Sequence, residues 1–285
     1  MSRIFHVNGA WVAEEAAQVS VLDRGFLFAD AVYEVTAVLD GRLVDVDGHL
    51  ARLGRSLAAL GMALPAPEAE LAELHREAVA RNGLTEGMVY LQVTRGVAER
   101  DFLIRPGAAP GIVLFTQSRA LVESPAARTG IRVVSRPDLR WGRRDIKTVQ
   151  LLAASLAKSE AVAAGADDAW LVEPDGTVTE GSSSNAWILT AEGVLVTRAL
   201  SPAILPGITR AAVLKLAGET GLRLEVRAFS IDEARAAREA FVTAASSFVL
   251  PVVAIDGAVI GDGTPGAVTR RLRQLYIDEA RATAV

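Results

Sequence analysis

The chain reads as an α+β protein, built on antiparallel strand pairs and not on a doubly wound parallel sheet. Three observations carry this. Asn8-Gly9, Asp40-Gly41, Asp175-Gly176 and Asp256-Gly257 each stand between short β-rich runs, and two-residue turns of that kind join antiparallel strands. Helical patterns fall between them, over 48–61, 67–81, 149–164, 208–220 and 268–280. No Walker-type G-x-x-x-x-G-K-[ST] loop is present, which removes the usual phosphate-cradling loop of parallel α/β nucleotide-binding sheets.

Taken in order, runs 4–7 and 10–12 form a first hairpin, and runs 32–39 and 42–46 a second. Two helices follow, then a strand at 111–116. A Ser/Pro-containing stretch, 118–128, reads as a linker between an N-terminal domain (1–117) and a C-terminal domain (129–285), both of ordinary size. A ligand site is expected in the cleft between two such domains. No internal repeat or low-complexity segment occurs.

Composition narrows the function classes. A net charge of −4 gives no electrostatic case for nucleic acid or an anionic membrane. Hydrophobic residues make up 51% of the chain, yet no apolar run approaches the ~20 residues needed to span a bilayer. The N-terminus shows no signal-peptide pattern, so a cytoplasmic location is expected. Zero cysteines exclude disulfides and thiolate chemistry, and His6, His49 and His75 stand too far apart in sequence to suggest a metal site.

Lysine is scarce: of 30 Lys and Arg, only Lys147, Lys158 and Lys215 are lysines. A lysine kept against that bias is a candidate for chemistry that a permanently protonated arginine cannot perform, Schiff-base formation above all. Lys158 and Lys215 sit in helical patterns as solvated charges. Lys147 follows the extended stretch 130–135 and the charge-dense run Arg140-Trp-Gly-Arg-Arg-Asp-Ile-Lys147. Neighbouring arginines would push its amine toward the neutral form. An ion pair with Asp145 or some other carboxylate is the competing reading.

Three further segments stand with it. In Thr179-Glu180-Gly-Ser182-Ser183-Ser-Asn185 a carboxylate ends one strand, a polar turn follows and Asn185 opens the next strand. In Leu205-Pro-Gly207-Ile208-Thr209-Arg210 a helix starts after Pro-Gly, leaving backbone N–H groups and a positive helix terminus for a phosphate. In His49-Leu-Ala-Arg52 a guanidinium falls on the first turn or so of a helix, where it could grip the same phosphate or be a solvated charge.

Together with Asp23-Arg-Gly-Phe-Leu-Phe-Ala-Asp-Ala-Val-Tyr33-Glu, Asp145-Ile-Lys147-Thr and Phe241-Val-Thr-Ala-Ala-Ser246-Ser, this series resembles the class IV (fold type IV) pyridoxal-5′-phosphate aminotransferases over nearly the whole chain. Gln92-Val-Thr-Arg-Gly96, Asp138-Leu-Arg-Trp141 and Ser182-Ser-Ser184 are most similar to the D-amino acid aminotransferases of that family. The resemblance implies a smaller N-terminal domain, a larger C-terminal one and pyridoxal 5′-phosphate between them. It implies that Lys147 carries the cofactor as a Schiff base and shuttles the substrate proton, and that Glu180 pairs with the pyridine nitrogen. Arg52, Ile208, Thr209 and Ser246 would hold the phosphate, Leu205 would pack on the ring, and Ser182 and Ser183 would add donors. Tyr33 would line the substrate pocket. The implied reaction is a ping-pong transfer of the amino group from a D-amino acid to a 2-oxo acid; (R)-amines are expected as minor donors because Phe102 stands where a polar contact to the carboxylate would be. The implied assembly is a homodimer whose loops complete each other's sites. A branched-chain L-amino acid aminotransferase, an aminodeoxychorismate lyase and a cofactor-less binding protein of the same fold stay as alternatives.

There are departures from the family pattern. Trp187 replaces Phe or Tyr, and Asp30-Ala31 replaces Asp-Gly, which suggests a less permissive backbone there. The loop expected to grip the substrate carboxylate keeps Arg100 but carries Phe102 where D-amino acid aminotransferases typically have His. Arg100 could instead pair with Glu99 or Asp101.

Overall fold

The computed structural model describes residues 2–105 and 107–285. Its contacts divide the chain into a first unit, Met1–Ala120 with Ile146–Gln150 and Ala280–Val285, and a second unit, Leu121–Asp145 with Leu151–Glu279.

In the first unit, β1 (Ile4–Val7) and β2 (Ala10–Ala13) form a hairpin, and a short helix α1 (Arg24–Phe28) precedes β3 (Ala31–Leu39) and β4 (Arg42–Leu43). Helices α2 (Val46–Ala59) and α3 (Glu68–Asn82) come next, then β5 (Gly87–Thr94) and β6 (Gly111–Ser118). The six strands lie in the order β2-β1-β6-β5-β3-β4, every neighbouring pair antiparallel. Asn8-Gly9 and Asp40-Gly41 have positive φ at both residues (49° and 91°, 52° and 74°), which makes the tight turns the sequence predicts. The second hairpin is shorter than its 42–46 run suggests, because α2 already begins at Val46. Helix α2 buries Val46, His49, Leu50, Leu53, Ser56 and Leu57, spaced at three and four residues.

In the second unit, α4 (Pro125–Thr129), β7 (Ile131–Pro137), α5 (Leu152–Ala163), β8 (Asp168–Val172), β9 (Val178–Gly181), β10 (Asn185–Leu189) and β11 (Val194–Thr197) are followed by α6 (Ile208–Glu219), β12 (Arg223–Val226) and α7 (Ile231–Arg235). Strands β13 (Glu239–Ala244), β14 (Phe248–Ile255) and β15 (Ala258–Val259) and helix α8 (Ala267–Thr283) end the chain. The sheet runs β12-β11-β10-β13-β14-β7-β8-β9, with β15 on β14. It is mixed: β7 is parallel to both β8 and β14, and β11 to β12. Buried Ile131, Val133, Trp170, Ile188, Phe229 and Val242 belong to its core. Asp256-Gly257 turns β14 into β15 with positive φ at both residues, whereas at Asp175-Gly176 only the glycine has it. There the Asp175 carboxylate accepts from the Thr177 amide and hydroxyl, so a longer loop, not a two-residue hairpin, joins β8 to β9.

The sequence-based domain limits differ from these units at the linker, at 146–150 and at the C-terminus, where residues 280–285 belong to the first unit and Val285 exchanges backbone hydrogen bonds with Leu43. Residues 121–128, read as linker, belong to the second unit, and α4 forms at their end. Residues 146–150, read as part of the C-terminal domain, belong to the first, because they run along β3. The Tyr33 amide donates to the Lys147 carbonyl (3.0 Å), the Val149 amide to Ala31 (3.2 Å), and Val32 bridges Thr148. That pairing is remote in sequence and leaves no local signal.

Candidate active site

Lys147 is half-buried in the first unit. Its amide donates to the Ser56 hydroxyl of α2 (3.3 Å), and its Nζ stands 4.2 Å from the Tyr33 ring centroid. Tyr33 in turn stacks on Tyr90 at 5.5 Å. Among the described residues Lys147 makes no ion pair. Asp145, its expected competitor, is engaged bidentately by Arg143 at 2.9 Å. The other arginines of the run are also matched, Arg140 to Asp138 and Glu180, and Arg144 to Asp138 and Glu173. Like-charge pressure from free arginines is therefore not what sets Lys147 apart. Lys158 and Lys215 are exposed helix positions, as expected.

Beside this strip lies a buried ion cluster. Arg52 sits in the second turn of α2, past the first turn that the sequence suggests, and is 4% exposed, so it is not a solvated charge. Its Nε and Nη2 donate to the two oxygens of Glu34 (2.8 and 2.7 Å), and His49 Nδ1 donates to Oε2 (2.8 Å). Burial alone would raise the Glu34 carboxyl, but Arg52 and His49 overcome it and hold the group at about 2. The signal for Glu34 was available: it shares strand parity with buried Val32, Thr36 and Val38, and a carboxylate there requires a buried partner.

The second unit carries Glu180 at the end of β9. Its Oε1 accepts from Arg140 Nη1 (2.5 Å), and its Oε2 from Asn185 Nδ2 (2.9 Å) and the Leu205 amide (3.1 Å). Asn185 also donates to the Leu205 carbonyl (2.9 Å), so the two side chains clamp the backbone just before α6. Arg140 is shared, with Nε and Nη2 on Asp138 at 2.9 and 2.7 Å. Burial raises the Glu180 carboxyl above its ordinary range, and the pull of Arg140 and the Leu205 amide does not fully offset it. The sequence pattern contains Asp138 and Arg140 but gives them no role; their link to Glu180 is a tertiary contact.

Helix α6 begins at Ile208 behind Gly207, with no side-chain cap. A Cβ at Gly207 would collide with the Asn185 amide oxygen, so only glycine admits this approach. Thr209 Oγ1 and Ser184 Oγ are buried without a hydrogen-bond partner. Ser182 is buried and donates to Asp168, Ser183 is exposed, and Leu205 is half-buried. Ser246 lies in the turn between β13 and β14, two residues before Phe248, which is fully buried with φ 59°. A bulky residue held there is strained, and such strain concentrates at ligand-binding turns. Trp187 is accommodated: it stacks on Phe241 at 5.4 Å and donates to Thr243 at 3.0 Å. Ala31 opens β3 in extended backbone, and the positive φ falls instead at Ala29 (54°).

Arg100 and Phe102 lie together on an exposed loop of the first unit. The Arg100 guanidinium stands 5.6 Å from the ring centroids of both Phe28 and Phe102, and Phe102 is 80% exposed. Asp101 pairs with Arg105 and not with Arg100.

Comparison with known proteins agrees with this architecture. Residues 31–255 match the amino-transferase class IV family. A D-alanine aminotransferase of Bacillus licheniformis is 39% identical over 266 residues, 93% of each chain, and one of Staphylococcus aureus (strain MSSA476) is 39% identical over 277 residues, 96% of each. Among solved structures, a T.th. branched-chain amino acid aminotransferase with pyridoxamine 5′-phosphate superposes with a TM-score of 0.90 at 29% identity, covering 99% of this chain and 95% of that one. The Escherichia coli branched-chain enzyme, at 24% identity and TM-score 0.91, covering 98% and 95%, shares the fold. The chain belongs to the class IV aminotransferases, a family of pyridoxal-phosphate enzymes, and it is an aminotransferase of fold type IV. Among the described residues, no helix is long and apolar enough to cross a membrane.

Proposed function

We propose that the protein is a D-amino acid transaminase that uses pyridoxal 5′-phosphate and passes the amino group to a 2-oxo acid. The observation that carries this reading is Lys147: an amine seated on the Tyr33 ring and without an ion-pair partner among the described residues. The relatives that are 39% identical over more than nine-tenths of their length are D-alanine aminotransferases, which favours D-amino acids over the branched-chain alternative.

The residues present fit the cofactor. The orphaned Thr209 hydroxyl and the uncapped amides of Ile208 and Thr209 suit a phosphate, with Ser246 as a further donor and Arg52 as its guanidinium. Glu180, short of positive charge where it is buried, suits a protonated ring nitrogen. When bound, the cofactor supplies an electron sink for the electrons left on the substrate Cα. With it in place Lys147 would hold and return the proton of that carbon, Glu180 would keep the ring nitrogen charged, Leu205 would lie against the cofactor, and Ser182 and Ser183 would add hydrogen-bond donors. Tyr33 borders the substrate, and Arg100 binds its carboxylate beside Phe102. A homodimer is part of the proposal, supported by exposed apolar side chains at Phe26, Phe102, Leu103 and Ile104.

Borohydride reduction of the purified holoenzyme, digestion and mass spectrometry test the reading: a pyridoxyl group is expected on the peptide that contains Lys147. Modification elsewhere, or none after incubation with the cofactor, overturns it. Donor preference is tested by single half-reactions with D-alanine and L-leucine, followed by the change in cofactor absorbance; a faster reaction with L-leucine moves the protein to the branched-chain class.

A further inference from the structure

The segment that carries Arg100 is tied at its start to the residues around the beginning of α1, the Arg24 amide donating to the Gly96 carbonyl and the Ala98 amide to the Leu22 carbonyl. A further fixed point is a buried charge cluster separate from those of Glu34 and Glu180. Asp30, between α1 and β3, accepts at Oδ2 from two guanidiniums, Arg24 Nε at 2.8 Å and Arg95 Nε at 2.7 Å. All three side chains are nearly buried, at 6%, 9% and 11% exposure for Arg24, Asp30 and Arg95. Together the two guanidiniums hold the Asp30 carboxyl below its usual range against the opposing effect of burial.

The cluster is rigidly mounted. Arg95 Nη2 donates to the Leu60 carbonyl at the end of α2 (2.9 Å), and the Arg95 amide to the Asp30 carbonyl (3.0 Å). At the start of α1, Asp23 accepts from the Gly25 amide (2.7 Å) and the Thr94 hydroxyl (2.8 Å). From this frame Arg24 extends a second nitrogen, Nη1, to the Asp101 carbonyl at 2.7 Å, one residue from Arg100. Arg24 also lies over the Phe28 ring at 4.6 Å, and Phe28 meets Phe102 edge-on at 5.6 Å while Arg100 stands beside both rings.

We infer that Arg24 is a positioning residue for the donor's carboxylate: it fixes the Asp101 carbonyl and so sets where the Arg100 guanidinium is presented. A long, exposed arginine otherwise loses side-chain and loop freedom each time it binds, and prior ordering of its backbone removes part of that cost. Phe28 and Phe102 complete the mount by flanking the Arg100 guanidinium, which gives the loop's phenylalanine a part that a polar residue would not play. The inference rests on the reading of Arg100 as the carboxylate's partner.

The test uses the holoenzyme and three variants. Arg24→Lys keeps a cation beside Asp30 but has a single nitrogen, which cannot also reach the Asp101 carbonyl. It is expected to raise KM for D-alanine by about tenfold, the scale of one lost charged hydrogen bond, with kcat changed by less than about twofold. Amide hydrogen exchange over 97–105 is expected to quicken while the rest of the chain stays unchanged. Phe28→Leu, at a half-buried position that tolerates the change, reads the same mount if the first variant folds poorly, with a smaller rise in KM. Arg100→Ala is the reference and is expected to raise KM at least as much. If Arg100→Ala raises KM while Arg24→Lys and Phe28→Leu leave it unchanged, the positioning role is overturned and the reading of Arg100 survives. If Arg100→Ala leaves KM unchanged, both are overturned. A fall in kcat with faster exchange throughout the chain makes Arg24 a folding residue and also overturns the inference.

Discussion

Two buried glutamates with arginine partners, Glu34 and Glu180, are shifted in opposite directions. Glu34 has a guanidinium across both of its oxygens and a histidine besides, and its carboxyl falls to about 2. Glu180 is buried as deeply, but its one arginine is shared with Asp138, and its carboxyl rises. Burial penalises both anions alike, so the number of cations committed to each decides the sign. The first cluster commits two guanidinium nitrogens and a histidine to one carboxylate and fixes a strand to a helix. The second is one cation short, and an incomplete buried charge is where a positively charged ligand atom gains most.

The same substitution should therefore act differently at the two sites. Glu34→Gln leaves the buried Arg52 without its carboxylate and is expected to destabilise the protein by about 3–5 kcal/mol, measured by denaturant unfolding. Glu180→Gln is expected to leave the cofactor-free protein at least as stable as the parent at pH 7. A carboxyl whose folded value is raised binds its proton more tightly when folded, so its ionised form opposes folding. In the holoenzyme Glu180→Gln should slow the half-reaction by on the order of 10²-fold or more while the cofactor stays bound, as for loss of a charge partner in a dry site. Equal losses of stability at the two positions would erase the contrast.

Acid sharpens it. Glu34 has a lowered folded value, so its stabilisation is complete above its unfolded value of 4.5 and is lost as the pH falls toward 2. His75, fully buried with Nδ1 on the Leu71 carbonyl (2.6 Å), is lowered by burial from 6.5 to about 4. The unfolded chain takes up that proton first, so stability should already decline from pH 6.5 to 4, and His75→Gln should reduce this upper part of the slope, leaving the share of His6, which burial also lowers. Unfolding midpoints across a pH series that spans both windows check them. The smallest effect is expected at Asn185→Ala, which takes a donor from Glu180 Oε2 and from the Leu205 carbonyl and should cost about 1–2 kcal/mol in an unfolding titration.

Much of this was legible along the chain because its causes are local. Asn-Gly and Asp-Gly turns adopt positive φ from their own chemistry, and α2, α3, α6 and α8 follow the apolar spacing of the residues that form them. The rarity of lysine marked Lys147, and the strand-turn-strand pattern placed Glu180 at the end of β9 and Asn185 at the start of β10. The limits of local reading appear where partners are distant. The parallel registers of β7 need contacts with β8 and β14, and the 146–150 strip needs β3. Arg52 and Arg100 are both arginines near aromatic or acidic residues in the sequence, yet one is sealed against Glu34 and the other is exposed beside Phe28. Local turn chemistry and periodicity suffice to choose elements, because backbone energies depend on near neighbours. The charge state of Glu34, Glu180 and Asp30 depends on which cations the folded chain brings within hydrogen-bond reach after water is removed, and that is a property of the tertiary structure alone.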